Sequence, residues 1–290
     1  MNKQEFKEIF AVFILSHKRS ENVKTARMLK DQGYTGDWFI VIDDEDDEAD
    51  NYRKKYGDKI IQFCKKDEAA LTDTGDTEDD RRCGVFARNK IQKIAREMGY
   101  KVHLQLDDDF SCIDFRYPLG EKLQCKKCGN LDQLFMSMAE FLLETSITNL
   151  SLSLSSYYLG GIKSKNYRDG LIPKTMGSFM LKASDPIEFK MRMNDDITST
   201  AWSWSVGKMS FSVTEIQVQT PPTQHEKGGM TDIYQDNGTY RKSFYSVMMC
   251  PGFMKIAQQG IKNFRIHHET SWEACCPCIL SEKWKKSTTS

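Results

Sequence analysis

Through roughly its first third the chain alternates short apolar runs with stretches of helical periodicity, and that alternation restricts it to βαβ units around a largely parallel sheet. Phe10 to Leu15 is an unbroken apolar run, long enough for one buried strand and far too short to cross a bilayer. Ser16-His17-Lys18-Arg19-Ser20 follows, then Val23, Ala26 and Leu29 at helical spacing, with Ser20 placed to cap this helix and Gly33 to end it. Trp38 to Ile42 is a second strand that ends on Asp43-Asp44. Glu45 to Tyr56 reads as an exposed acidic helix closed by Gly57, and Lys59 to Phe63 as a third strand. Lys65 to Arg82 is polar and aperiodic and reads as a mobile loop. Ala87, Ile91, Ile94, Ala95 and Met98 restore a helix, closed by Gly99. Val102, Leu104 and Leu106 then mark a fourth strand, which runs directly into Asp107, Asp108 and Asp109.

Three carboxylates at the carboxyl end of a buried strand call for a cation. In open α/β sheets ligands bind beyond those strand ends, and hard divalent ions prefer carboxylate oxygens, so Mg²⁺ or Mn²⁺ carrying a phosphorylated substrate is the simplest occupant. Aspartates also cap helices and end strands, and the triplet alone leaves both readings open. No G-x-G-x-x-G follows the first strand and no G-x-x-x-x-G-K-[ST] occurs, which argues against a dinucleotide oxidoreductase or a P-loop ATPase. Phosphate must then be held another way, and a metal on the aspartates would do it, since it can bridge a diphosphate and stabilise the charge that grows as a nucleoside diphosphate departs. That chemistry is sugar transfer from a nucleotide sugar.

The 290 residues fit one large α/β domain better than two small ones, and 41 basic against 41 acidic side chains give no net attraction for a polyanion. Acidic residues precede any apolar stretch at the N-terminus, so a cytoplasmic protein without a membrane anchor is expected. Nine cysteines at no repeating spacing point to reduced thiols. Cys125-Lys-Lys-Cys128 resembles half a zinc ribbon that Cys275, Cys276 or Cys278 would complete, but the irregular C-terminal CCPC argues against zinc.

The segments FILSHKRSENVKT, FIVIDDED, FARNKIQKIAREMGY and QLDDDF, with the later runs GGMTDIYQDNGTYRKSFYSVMM and IHHETSWEACCPCILSEKWKK, together resemble the TET/JBP-associated glycosyltransferase family. That family is known mainly from phage and related genomes. The resemblance implies a GT-A-like single domain, an α/β fold with a Rossmann-like, mostly parallel sheet. Residues 1–116 would form the nucleotide-sugar half and 117–290 the acceptor-binding and catalytic half. It also implies transfer from a nucleotide sugar, UDP-sugar being the usual donor of the fold, to the hydroxyl of a 5-hydroxymethylpyrimidine base in DNA, in the host cytoplasm if phage-encoded.

Carried over residue by residue, the D-x-D positions Asp107 and Asp109 would bind Mn²⁺ or Mg²⁺ and the diphosphate, and Asp108 would orient them or contact the donor sugar. A histidine near the C-terminus completes such sites, here His267 or His268. Neighbours on an extended segment point to opposite faces, so one of them ligates, with His267 preferred. Ser16, His17 and Arg19 fall where donor nucleotides bind, Arg19 as a fork for phosphate and Ser16 as a hydroxyl for ribose or base, although Ser16 and Ser20 also suit capping. Asp43 or Asp44 resembles the acidic contact to uracil or ribose, and Arg88 with Asn89 the contacts to phosphate or sugar hydroxyls.

An inverting reaction needs a base, and Asp195-Asp196 in MRMNDDITSTAWSW resembles the acidic motif that supplies it, with Asp196 preferred and helix capping the alternative. Trp202 and Trp204 are assigned to packing around that helix, though their period-two spacing also suits a strand. Gly228 and Gly229 suggest close backbone approach to substrate, and Tyr234 and Tyr240 could stack on a base flipped from the duplex. Lys163, Lys165, Arg168, Lys174, Arg241 and Lys242, with Lys283, Lys285 and Lys286, could follow a DNA backbone. A pI near 6.9 makes such binding weak and salt-sensitive. Competing readings are transfer to a glycan, protein or small molecule, and a silent binding module of the same fold. Against the second, a silent relative would typically have lost the aspartates and the His pair. A sugar-phosphate nucleotidyltransferase is disfavoured because Ser16 to Ser20 contains no glycine.

Overall fold

The computed structural model describes residues 1–76, 81–221, 240–260 and 264–276. Four strands of the first half, β1 (Phe10–Leu15), β2 (Asp37–Asp43), β3 (Ile60–Phe63) and β4 (Val102–Asp107), lie parallel in the order β3-β2-β1-β4. The sheet continues with strands of the second half: β5 (Cys112–Leu119), β6 (Lys122–Lys127), β7 (Asn149–Leu154), β8 (Leu171–Ile172), β9 (Ser178–Lys182) and β10 (Ser210–Gln219). Beyond β4 the order is β9-β7-β10-β5-β6, and β8 pairs with β10. β9 runs antiparallel between β4 and β7, β10 is parallel to β7, and the antiparallel β5–β6 hairpin closes the edge. The first four strands are thus parallel, as expected from the sequence, and antiparallel pairing begins with β5.

Alternation along β1 explains the layers. Phe10, Val12 and Ile14 enter one apolar core and Ala11 and Phe13 the other, and all five are completely buried. The first core is covered by α1 (Lys3–Ile9), α2 (Lys24–Asp31), α3 (Ala49–Tyr56) and α6 (Leu131–Glu144). The second is covered by α5 (Val85–Glu97), with the short α4 (Lys65–Ala69) at its border. Because helices cover both faces, the polar positions of β4 are enclosed too: His103 and Gln105 are 0% exposed. Burial pushes the imidazole of His103 down to about 3, so it is neutral.

The second half adds α7 (Lys165–Asp169), α8 (Asp195–Ser205), α9 (Arg241–Met249), α10 (Trp272–Cys275) and a separate hairpin of β11 (Met254–Gln259) and β12 (Arg265–Thr270). Ile197, Ala201, Cys250, Met254 and Cys275 form a small core between these pieces. Trp202 and Trp204 pack against it from α8, so their spacing reports a helix rather than a strand.

Three local expectations change. Ser20 does not cap α2, which starts at Lys24 with Val23 before it; the Ser20 amide instead donates to Glu48 at 2.8 Å. Lys65 to Arg82 is not a free loop over its described part. It contains α4, and the carbonyls of Asp73 and Thr74 accept from the amides of Met191 and Arg192 at 2.8 and 2.9 Å. A single helical turn is too short to show a period. The helix expected to be exposed, α3, buries Tyr52 completely. Of the cysteines considered for zinc, Cys128 belongs to the main core and Cys275 to the small one, and Cys278 lies outside the described residues. No described helix is long and apolar enough to cross a membrane.

Candidate active site at the carboxyl end of β4

The turn after β4 is fixed by the first turn of α2. Thr25 Oγ1 donates to the Asp107 carbonyl at 2.5 Å and accepts from the Phe110 amide at 3.0 Å, while the Thr25 amide donates to the Asp108 carbonyl at 3.1 Å. With the backbone held, the three carboxylates part ways. Asp108 turns inward and is 4% exposed. Its two oxygens accept from Ser16 Oγ at 2.6 Å and Arg19 Nη1 at 2.7 Å. Tyr52 Oη lies 2.6 Å from Ser16 Oγ and accepts from the Arg19 amide at 2.9 Å. Ser16 and Arg19 therefore serve Asp108 rather than standing open for ribose or phosphate, because a carboxylate this buried needs partners for both oxygens. Asp108 in turn fits the orienting role rather than a sugar contact.

Asp107 and Asp109 keep side-chain exposures of 39% and 26%. Burial, reinforced by the charges of Asp107 and Asp108, pushes the Asp109 carboxyl up to about 7, and Arg19 at 3.8 Å offsets this only in part. Arg88 on α5 links this strand end to α8, its Nη2 donating to Asp107 at 2.9 Å and its Nε to Asp195 at 3.3 Å. The guanidinium lies 4.8 Å from the ring centre of Phe179 and 5.7 Å from that of Phe189. At 7% exposure it is a bridge between carboxylates, not an open ligand for a donor.

Asn89 is likewise taken. Its amide donates to the Phe189 carbonyl at 2.9 Å and accepts from the Phe189 amide at 3.0 Å. Gln92 does the same for Ile187, at 2.8 and 3.0 Å. Two amide side chains three residues apart on one helix face thus hold an irregular segment as a neighbouring strand would, and their spacing was the signal for it. This segment positions Phe189 against Arg88 and leads to Asn194.

Asn194, with φ of 59°, is the N-cap of α8, so Asp195 and Asp196 occupy its first turn and neither caps it. Burial raises the pKa of both, Arg88 opposes this, and the neighbouring carboxylates add to it. Lys174 and Lys242 face Asp196; burial lowers both lysines and Asp196 counteracts it. These two thus lie near the acidic pair, while Lys163, Lys165 and Arg168 are exposed around α7. Arg241 lies 5.7 Å from the Tyr245 ring centre, and Tyr240, before α9, is 56% exposed.

The two histidines on β12 make contacts of their own. His268 Nδ1 lies 3.2 Å from the Asn194 amide nitrogen, and His267 Nδ1 lies 2.8 Å from the His268 carbonyl. Among the described residues no three His, Cys, Asp or Glu side chains converge as a metal cluster. Among the described residues β12 pairs with β11, outside the main sheet, and His268 joins that hairpin to α8 through Asn194. At the end of β2, Asp43 is 7% exposed and meets His17 Nδ1 at 3.1 Å and Lys65 Nζ at 3.2 Å. Asp44 is exposed and accepts from the Lys65 amide at 2.8 Å. Gly228, Gly229, Tyr234 and the C-terminal lysines lie outside the described residues.

Tyr52, Thr25, Lys65 and Gln92 were not singled out from the sequence, since each acts through a partner far along the chain.

Among solved structures, glucosyl-3-phosphoglycerate synthase from Mycobacterium tuberculosis, in complex with Mg²⁺ and uridine diphosphate, is similar with a TM-score of 0.48 at 8% identity, over 93% of this chain and 92% of that one. The same enzyme with Mn²⁺, uridine diphosphate and phosphoglyceric acid gives 0.44 at 7% identity, over 93% and 91%. TarS 1–349 of S. aureus gives 0.40 at 13% identity, over 72% and 60%. A search of curated proteins finds no match. The TET-Associated Glycosyltransferase family profile matches residues 10–229, which spans β1 to β10 and both acidic pairs around Arg88; the chain is a glycosyltransferase of that family.

Proposed function

We propose that the protein transfers a sugar from a UDP-sugar to the hydroxyl of a 5-hydroxymethylpyrimidine base in DNA, with Asp107 and Asp109 holding Mn²⁺ or Mg²⁺. The observation that carries the metal and donor reading is the division within the triplet: Asp108 is neutralised from inside, and the two flanking carboxylates stay accessible. Their surroundings suit a divalent ion, because Asp107, Asp109 and Asp195 share too few cations and the Asp109 carboxyl is pushed up to about 7 by burial and its neighbours. When bound, such an ion would neutralise the charge that grows on the departing diphosphate. The His pair has no part in this proposal.

Asp195 is tied to Arg88, whereas the hydrogen bond to Asp196 comes from the Ile197 amide at 2.8 Å, which favours Asp196 as the base. Its raised affinity for a proton suits that task. In the proposed step Asp196 takes the proton of the acceptor hydroxyl while that oxygen bonds the anomeric carbon and the bond to the nucleoside diphosphate breaks, giving inversion. Arg88 keeps Asp107 and Asp195 apart and in register. The first half of a single domain would hold the donor and the second half the acceptor.

Membership of the TET-associated family supports the acceptor class. The test incubates the protein with Mn²⁺, mixed UDP-sugars and duplex DNA carrying 5-hydroxymethylcytosine or 5-hydroxymethyluracil, then digests to nucleosides for mass spectrometry. A hexose-sized gain on one modified nucleoside, lost with EDTA, is the expected result. Donor hydrolysis without any gain would move the acceptor away from DNA.

A further inference from the structure

The β5–β6 hairpin is fastened on one face and open on the other. Among the described residues only the inner part of β5 is backed by β10, whose Ile216 to Gln219 pair with Phe115 to Cys112, and Arg116 to Leu119 pair with β6 alone. The outer part therefore projects past the main sheet as a two-stranded arm. Residues directly opposite in an antiparallel pair share a face and successive ones alternate. Phe115, Tyr117 and Leu119 thus stand on one face beside their partners Lys126, Gln124 and Lys122. Closer in, the same face carries Ile113, which is 0% exposed and part of the main core. Further out it opens, with Phe115 41%, Tyr117 40% and Leu119 64% exposed. On the opposite face Asp114 is buried, and Arg116 bonds Gln217 and lies 4.8 Å from the ring centre of Tyr158.

Lysines on an edge strand are a common guard against edge-to-edge pairing. That accounts for Lys122 and Lys126 on β6. It does not account for three consecutive same-face apolar side chains on β5. A contiguous row of this kind marks a binding surface. Its charge selects the partner: both cations of the face are lysines, Asp114 points the other way, and Glu121 sits in the turn at the tip. Rings for stacking beside ammonium groups for phosphates suit a nucleic-acid strand, which offers both partners at each nucleotide. The position agrees. β5 starts directly after Phe110 and Ser111, so its inner end adjoins the aspartates, and eight residues extend about 26 Å at about 3.3 Å each.

We propose that this open face binds the DNA strand flanking the target base, an inference that rests on the DNA-acceptor reading above. Two variants test it, Phe115→Ala with Tyr117→Ala, and Lys122→Glu with Lys126→Glu. All four side chains are exposed, and circular dichroism verifies the fold of each variant. Fluorescence anisotropy with labelled DNA oligonucleotides, with and without hydroxymethylated bases, should show each variant binding about tenfold or more weakly. The charge-reversal variant should also lower the dependence of log affinity on log salt by about 2. Metal-dependent hydrolysis of UDP-sugar should be unchanged in both.

Unchanged DNA affinity in both variants would overturn the inference, as would a dimer seen by sedimentation that either variant dissolves, since a second copy would then be the occupant. If the wild type glycosylates DNA and the variants do so equally well, the arm fails and the proposed function stands. If the variants lose DNA binding while the wild type transfers to no DNA base, the arm stands and the acceptor reading fails.

Discussion

Two strands of the parallel half end in aspartates at the same edge of the sheet, and they are solved in opposite ways. At the end of β2 the buried Asp43 is met by His17 and Lys65, and Asp46 accepts from the amides of Lys18 and Glu48 at 2.8 and 2.9 Å. Burial would raise Asp43, but His17 and Lys65 together hold it below the usual carboxylate range. At the end of β4 the inner Asp108 has its partners, yet Asp107 and Asp195 must share Arg88, Asp109 has Arg19 no nearer than 3.8 Å, and the carboxyl of Asp109 is pushed up to about 7. An acidic strand end is thus not a site in itself. What distinguishes the candidate site is carboxylates gathered faster than the fold supplies cations, which leaves the balance to a ligand.

The sharpest break of this comparison is Asp109→Ala. Loss of one metal and diphosphate ligand should cut sugar transfer by about 10³-fold. Because the substitution also relieves repulsion, the thermal midpoint measured without metal should hold or rise. A variant that keeps wild-type turnover would remove Asp109 from the site. Asp108→Ala should do the reverse. It strands Arg19 against Ser16 and Tyr52 and should cost about 3 kcal/mol in a urea titration, since breaking a buried pair exposes the desolvation cost of the remaining partner. A loss below about 1 kcal/mol would mean that Asp108 is not the inner anchor described. Arg88→Lys keeps the charge but cannot span Asp107 and Asp195, and should lower kcat about tenfold with KM for donor little changed. If KM rises instead, Arg88 contacts the donor directly.

The parallel half was legible because each of its signals is local. The apolar run of β1 matches Phe10–Leu15 residue for residue, and Gly33, Gly57 and Gly99 stand past the ends of α2, α3 and α5 with φ of 77°, 58° and 87°. The aspartates were legible for the same reason, as a composition spike at a strand end. What each neighbour does was not. Ser16, Arg19, Arg88 and Asn89 were singled out by position, and all four turn out to be engaged by protein partners, because engagement depends on contacts such as Arg19 to Asp108 across 89 residues or Asn89 to Phe189 across 100. The contacts of His267 and His268 were not legible either, since they depend on a separate hairpin that carries His268 to Asn194.

The mildest test addresses the balanced strand end. Asp43→Asn keeps the shape of the side chain but removes the charge that His17 and Lys65 share, and at pH 7 should cost about 2 kcal/mol. The sign with pH follows from the direction of the shift. The unfolded chain holds the Asp43 proton more tightly than the folded one, so its contribution is complete above the ordinary carboxylate pKa of about 3.9 and is lost as pH falls through the lower folded value. Urea midpoints of wild type and variant should therefore differ at pH 7 and converge as the solution is acidified below about pH 4. A difference that persists in acid would mean that Asp43 acts there through its hydrogen-bonding shape, as the acceptor for the Glu45 amide at 3.0 Å, and not through its charge. The contrast between a closed and an open strand end would then rest on Asp109 alone.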